Sequence, residues 1–355
     1  MHILDDEKNY QRQDPSGMLQ SIKDLPDQLE SVNRQMKDFA VPTPYIKAKN
    51  IVVLGMGGSA IGGALTASLA LLKCKIPVYV HRDYDLPGFV NHESLVIGVS
   101  YSGNTEETIS GFTQAAERGA KLLAISTGGQ ISAICRKYRV PLFAIDYGAQ
   151  PRAALGYLLG GVVIILNKLS FLELGDNEIA ETIKLMRALE NKIHIGIPSQ
   201  QNQAKQLAQR IQGKIPMIIG SGVLSEVARR WKTQINENPK QLAIFEILPE
   251  LNHNMVVGLD FPEKLPEKVF VIMLQSKFDH PRNKIRQQAT LQILQQKKIQ
   301  YETIYMQTAT TTLAEMMLVI FLGDFVSYYL AMLNKVDPTP VDTISYLKDR
   351  LAASK

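Results

Sequence analysis

Residues 96–109 read VIGVSYSGNTEETI: a short apolar run that gives way to hydroxyls at Ser100, Ser102 and Thr105, set around Gly103 and Asn104. A run this short, rich in β-branched residues and stopped so abruptly, reads as a strand buried on both faces of a parallel sheet. TEETISGFTQAAERGA, from Thr105 onward, then has the length and pattern of a helix. The same succession stands upstream, where NIVVLGMGG from Asn50 runs into AIGGALTASLALLK, and PVYVHRD, KLLAISTGG and VPLFAID add three more strands. Strands alternating with helices in this way predict a doubly wound α/β domain with a parallel sheet.

The pattern lapses after Phe171 into a charged, Gln-rich helical stretch and restarts at KIPMIIGSG from Lys214. QLAIFEILP, KVFVIMLQS and IQYETIYMQ supply the later strands, and a long apolar helix near 312–334 follows. The expected organisation is a polar helical leader (1–45, its helix near 15–40), a first α/β domain (46–170), a helical linker (171–210), a second α/β domain (211–335) and a helical tail (336–355) beginning near Pro340. GMGGS after the first strand of one half and GSG after the first strand of the other hint at duplication.

At 355 residues with 45% hydrophobic and 21% charged residues, the chain has room for two ordinary domains with real cores. Its formal charge of +5 favours anionic partners, but Lys and Arg are scattered, with clusters no larger than QQKKIQ and ARRWK. That fits a small anionic substrate better than nucleic acid. Two cysteines, Cys74 and Cys135, make neither a disulfide framework nor a Cys-based zinc site and point to a reducing compartment. The opening MHILDDEKNYQRQD is polar and acidic, unlike a signal peptide, so a cytoplasmic location is expected. AALGYLLGGVVIIL from Ala153 is too short to span a bilayer and MMLVIFLGDFVSYYLAM from Met316 is interrupted by Asp324; both are expected to be buried helices, with no membrane partner.

The turn Gly55-Met56-Gly57-Gly58-Ser59-Ala60-Ile61-Gly62-Gly63 loosely matches a dinucleotide fingerprint, with Asp83 as the nearest acidic residue at the end of the next strand. The hydroxyls of the third strand weigh against that. Glycines admit backbone N–H groups close to an anion, helix N-termini add partial positive charge, and Ser and Thr add donors without bulk. Two such turns side by side can surround one phosphate. A plain helix cap by Asn104 or Thr105, with Glu107 completing a box, explains one polar residue but not Ser100 and Ser102 as well.

The paired turns GMGGSA and SYSGNTEET resemble the sugar isomerase (SIS) domain, and with PRAALGY and ELNHNMVVG downstream the set resembles the bifunctional phosphoglucose/phosphomannose isomerases, from about Asn50 to the C-terminal helix. The resemblance implies two SIS domains, a phosphosugar aldose–ketose isomerase acting through a cis-enediolate, no cofactor, and a homodimer with active sites near the subunit interface. It places the phosphate on Gly58, Ser59, Ser100, Ser102 and Thr105.

Read from the residues, Pro151 starts the helix AALGYLLGGVV and puts Arg152 in its first turn, where the dipole disfavours a cation unless an anion lies nearby; the alternative is an arginine folded out into solvent. SEVARRWKTQINENPK reads as a helix with Val227, Trp231 and Ile235 on one face and Glu237 at its C-terminal end, where the dipole works against a carboxylate and suits a general base. Glu226, Glu246 and Glu250 are rivals, and a solvated terminal Glu237 is the bland alternative. His253 lies in a Pro- and Asn-bearing loop where histidine is more often structural, and Lys348 looks like one more exposed helix lysine. By resemblance, Arg152 stabilises the enediolate, Glu237 is the base, and His253 and Lys348 assist ring opening. His2, His81, His92, His194 and His280 form no ligand spacing, so no metal is expected. The rival functions are a non-catalytic phosphosugar-sensing SIS module, a nucleotide-dependent oxidoreductase, and an amide-transferring isomerase, the last lacking an N-terminal catalytic cysteine.

Overall fold

The computed structural model describes residues 3–353, which leaves His2 outside them. The leader forms three helices, α1 (Glu7–Gln13), α2 (Met18–Lys23) and α3 (Leu25–Gln35), and so turns helical earlier than the sequence pattern predicts. Strands β1 (Asn50–Leu54), β2 (Val78–His81), β3 (Ser94–Val99), β4 (Lys121–Ser126) and β5 (Leu142–Ala144) form a parallel sheet in the order β2-β1-β3-β4-β5. Helices α4 (Gly57–Ala70), α5 (Glu106–Glu117) and α6 (Gly129–Tyr138) follow β1, β3 and β4. All six residues of β3 are buried, which is why its sequence is an unbroken apolar run with no alternation.

Three further helices, α7 (Leu155–Lys168), α8 (Glu178–Ile193) and α9 (Gln203–Ile211), lead to the second half. There β6 (Ile215–Ser221), α10 (Ser225–Glu237), β7 (Ile244–Leu248), the short α11 (Leu265–Lys268), β8 (Val269–Gln275), α12 (Pro281–Gln296) and β9 (Gln300–Tyr305) build a second parallel sheet, ordered β7-β6-β8-β9. In each sheet the first strand sits between the next two, so the chain leaves it to one side and returns to the other. This strand order opens a crevice at the C-terminal ends of β1 and β3, and another at those of β6 and β8.

The long apolar segment is α13 (Thr312–Asn334), 23 residues and by length and composition able to cross a membrane, yet wholly buried inside the fold. Helices α8, α9 and α10 pack around it, which is why it is apolar on every side. The chain ends in α14 (Asp342–Ala352), which has no buried residue. Its Ile344, Tyr346, Leu347 and Leu351 are exposed.

The leader is stitched to this scaffold by polar groups as well as by packing. Lys205 of α9 is fully buried and donates to Asp5 Oδ1 at 3.1 Å and to the carbonyls of Ile195 and Ile197 at 2.8 and 2.9 Å. Tyr10 stacks on Tyr328 of α13 with ring centroids 6.0 Å apart. Burial alone raises the Asp5 carboxyl, but hydrogen bonds from Ser199 and Lys205 outweigh it and leave its pKa below the usual value. Burial acts on Lys205 in the opposite sense, lowering it; with three oxygen acceptors around the ammonium, we read it as charged. A depressed carboxyl contributes stability that is fully present above the unfolded value and lost as pH falls through the folded one. Amide exchange in residues 7–35, corrected for intrinsic rates, is therefore expected to rise ahead of the α13 amides as pH drops below the ordinary Asp value of 3.8.

Gly323 of α13 faces Trp231 of α10, whose indole N–H donates to the Val319 carbonyl at 2.9 Å; a Cβ at 323 would overlap the indole ring. Alanine gains about 1 kcal/mol of helix propensity over glycine, whereas overpacking a filled core costs roughly 1–3 kcal/mol. Gly323→Ala is expected to lower the urea midpoint, and an unchanged midpoint would show that the two helices can separate without cost.

Candidate active site

The first crevice is built from two βα turns. After β1 the chain passes Met56, in extended conformation, into Gly57 with φ of +51°, and α4 begins. Ser59, in the first turn of α4, is buried and accepts a hydrogen bond at 3.1 Å from the backbone N–H of Tyr101 in the next turn. The two turns are thus tied by a serine hydroxyl. After β3, buried Ser100 donates from its hydroxyl to Thr105 Oγ1 at 3.1 Å, Gly103 N–H closes the turn onto the Ser100 carbonyl at 3.1 Å, and Ser102 is exposed.

Thr105 stands at the N-cap position of α5, but its side chain makes no capping hydrogen bond among the described residues; it pairs with Ser100 instead. Asn104 serves another helix, its Oδ1 accepting from Gln130 N–H at 3.0 Å in the first turn of α6. Glu107 is the second residue of α5, one short of the position a capping box requires. The cap reading of this turn therefore fails on all three residues. What remains is a helix N-terminus without a side-chain cap beside a cluster of hydroxyls, an arrangement suited to an anion.

Arg152 is placed differently from the sequence expectation. Pro151–Ala153 form a separate 3-10 turn and α7 starts only at Leu155, so Arg152 is not in the first turn of that helix. The cause lies in the leader: Gln28 of α3 donates to the Ala153 carbonyl at 2.7 Å and accepts from Gly156 N–H at 3.0 Å, holding polar groups that a continuous helix would pair internally. The turn rests directly on α4, where a Cβ on Gly58 would come within 2.8 Å of Arg152 N. Gly58 is needed for that approach.

The Arg152 guanidinium is 4% exposed, and the solvent-facing alternative is excluded. Its Nε donates to Asn238 Oδ1 at 2.9 Å, its Nη2 donates to the carbonyls of Pro338 and Thr339 at 2.7 and 2.8 Å, and its Nη1 lies 3.5 Å from Glu237 Oε2. Burial lowers the pKa of this group and the Glu237 charge opposes it. Glu237 is the last residue of α10, its side chain 26% exposed, and it faces the Arg152 cation from the negative end of the helix dipole. Lys240 adds a second cation, donating to the carbonyls of Glu237 and Pro338 at 2.6 and 3.2 Å; burial first, then the Arg152 charge, pull its pKa down.

Arg152 and Glu237 meet; the glycine turn lies against the Arg152 backbone through Gly58, and the hydroxyl turn is tied to the glycine turn through Ser59. His253 and Lys348 do not join this group within the chain. His253 ends the 3-10 turn Glu250–His253 after β7, is exposed, and makes no hydrogen bond or ion pair among the described residues. Lys348 sits on exposed α14, and its side chain makes none among the described residues. Of the rival carboxylates, Glu226 pairs with Arg229 at 2.7 Å in the first turn of α10. That is eleven residues from Glu237, about 16 Å along the helix. Glu250 accepts from Asn254 at 2.8 Å, and Glu246 lies on β7 with its pKa raised by burial.

The second crevice has the same topology and different chemistry. Gln287 bridges Ser221 and Asp279 at 3.1 and 2.8 Å, Ser276 N–H donates to Asp279 at 3.3 Å, and the Ser276 hydroxyl bonds Glu315. Burial pushes both carboxyls up. Sequence reading missed Tyr101, Asn238, Lys240 and Gln28 as parts of the first crevice. Tyr101 and Asn238 stand inside the motifs SYSGNTEET and NENPK, so proximity to the motif was a usable signal; Gln28 is 125 residues from Ala153 along the chain, with none.

The SIS domain family matches residues 45–145, and the bacterial phospho-glucose isomerase C-terminal SIS domain family matches residues 200–351. The bifunctional phosphoglucose/phosphomannose isomerase of Caldicellulosiruptor bescii is 41% identical over 95% of this chain and 100% of its own length. A protein of the same description from Aquifex aeolicus is 37% identical over 87% of this chain and 91% of its own. In fold, the C-terminal domain of glucosamine-fructose-6-phosphate aminotransferase from Francisella tularensis superposes with a TM-score of 0.69 at 16% identity, covering 91% of this chain and 98% of that one. Two parallel sheets flanked by helices, each matched by an SIS family, and full-length relatives of one description lead to one assignment: the chain belongs to the bifunctional phosphoglucose/phosphomannose isomerase family.

Proposed function

We propose that this chain is an aldose–ketose isomerase that interconverts glucose 6-phosphate with fructose 6-phosphate, and mannose 6-phosphate with fructose 6-phosphate. The observation that carries the reading is the buried Arg152 with Glu237 at 3.5 Å, seated on the glycine turn whose neighbour bears the hydroxyls. In this reading Ser59, Ser100, Ser102 and Thr105 hold the phosphate with the N-termini of α4 and α5, and Gly58 lets the Arg152 turn approach. Glu237 takes the proton from C2 and returns it to C1 through a cis-enediolate, and Arg152 steadies the negative charge that develops on the two oxygens. The intermediate is planar at C2, so a base that meets either face serves both epimers. Asp279 and Glu315 make the second crevice hostile to an anion, which supports one sugar phosphate per chain.

His253 and Lys348 open the ring from a neighbouring copy in this proposal. Both lie on segments with exposed apolar residues: Val257 and Phe261 beyond His253, and Ile344, Tyr346, Leu347 and Leu351 around Lys348. A homodimer that covers these residues gives the two segments a place at the partner's site. Free Cys74 and Cys135 accord with the cytoplasm.

A coupled assay of the purified chain with fructose 6-phosphate, with chelator present, is expected to yield both glucose 6-phosphate and mannose 6-phosphate. Absence of both products would leave phosphosugar sensing as the better reading, and loss of activity in chelator alone would refute the metal-free chemistry. Glu237→Gln is expected to lower kcat by about 1,000-fold or more with KM little changed, since it removes the base and leaves the phosphate turns intact; retained activity would move the base elsewhere. Mixing inactive Glu237→Gln and His253→Ala proteins under subunit exchange is expected to restore about a quarter of the sites, because half the random dimers then hold one intact site. No restoration would confine each site to one chain.

A further inference from the structure

Asp324 lies in the middle of the mostly apolar α13, and its partners lead back to Arg152. Arg230 Nη2 donates to Asp324 Oδ1 and Oδ2 at 3.1 and 2.8 Å and to the Arg152 carbonyl at 3.1 Å, while Gln234 donates to Asp324 Oδ1 at 2.9 Å. One turn on, the Ser327 hydroxyl donates to the Asp324 carbonyl at 2.8 Å. That uses its only proton, so the Ser327 oxygen is left as an acceptor and takes Asn238 Nδ2–H at 2.9 Å. The Asn238 amide is thereby oriented: its NH2 faces α13 and its oxygen faces Arg152 Nε. Asn238 and Ser327 are both fully buried, so no water competes for these groups.

We propose that Asn238 is a positioning residue for Arg152, and that Ser327 sets the direction of the Asn238 amide, so that the guanidinium turns Nη1 toward Glu237 and the reacting oxygens. The inference rests on the role given above to Arg152. A flipped amide would set donor against donor at Nε and swing the guanidinium away. A neutral acceptor also matters here. Asn238 and the carbonyls of Pro338 and Thr339 hold the cation without cancelling the charge that a developing enediolate needs; a carboxylate at 238 would cancel it.

Steady-state kinetics with fructose 6-phosphate on Asn238→Ala, Ser327→Ala, Arg152→Lys and the Asn238→Ala/Arg152→Lys double variant test this, each protein checked for an unchanged circular dichroism spectrum. Asn238→Ala is expected to lower kcat by about tenfold to a hundredfold, with KM within about twofold because the phosphate turns are untouched. Ser327→Ala should fall in the same direction and less, and it decides the matter alone if Asn238→Ala does not fold. In the Arg152→Lys background, Asn238→Ala should add little further loss, since a residue that acts through Arg152 has nothing left to position. Losses that multiply, or a folded variant with unchanged kcat while Arg152→Lys is impaired, would overturn the positioning role and leave the isomerase reading intact. Full activity in Arg152→Lys would instead overturn the role of Arg152 itself, and the inference with it.

Discussion

A carboxylate in the centre of a buried helix costs several kcal/mol to desolvate; burial raises the Asp324 carboxyl, and a paired, hydrogen-bonded cation works against that cost. Asp324 meets that condition through Arg230 and Gln234, all three at most 3% exposed. This ion pair ties α10 to α13, and among the described residues neither side chain makes another ion pair. Once α10 is fixed, so are the two features at its far end, Glu237 and Asn238. Arg230 also holds the Arg152 carbonyl, so the first domain's contribution to the site is referred to the same helix. Arg152 and Glu237 are thus brought together from positions 85 residues apart in sequence.

The division of labour between the two sheets follows from one topology with two sets of side chains. Both sheets place their first strand between the next two and both open a crevice at the strand ends. In the first, serine and threonine hydroxyls surround a helix start; in the second, the turn after β8 carries buried Asp279 and bonds buried Glu315 of α13. The second half therefore meets the first through α10, which packs against α4, while α13 is the helix around which α8, α9 and α10 pack.

The sequence revealed the fold wherever burial is two-sided, since runs such as SLVIGV and the α13 segment can satisfy their apolar faces in few ways. It also marked the hydroxyl turn after β3 and the place of Glu237 at the end of α10, because residue type and position at an element end carry physical meaning; the choice of Glu237 over its rival carboxylates rests on the family resemblance. It did not reveal where α7 starts. Pro151 marks a helix start by local rules, and the interruption at Ala154 comes from Gln28, a residue contributed by the leader. Nor did it reveal Asn238, whose value lies in the direction of one amide, set by a serine 89 residues away. Local patterns report what a residue prefers; they do not report which distant group holds it. His253 and Lys348 form a third kind of case, exposed in the single chain, so that their surroundings depend on what lies against that surface.

The two hydrogen bonds from Arg152 Nη2 to the carbonyls of Pro338 and Thr339 have a consequence for how the chain ends. They bind the root of the tail, not its helix, and Lys240 reinforces the same carbonyl of Pro338. The tail is therefore two devices in series: a splice, buried at Pro338 and half-buried at Thr339, that completes the coordination of a cation, and an exposed helix beyond it. Shortening the arm removes Lys348 and leaves the cation's acceptors in place, whereas cutting through the splice strips them from a guanidinium that has no solvent to turn to. An end that seems dispensable by its exposure is, a few residues earlier, part of the core.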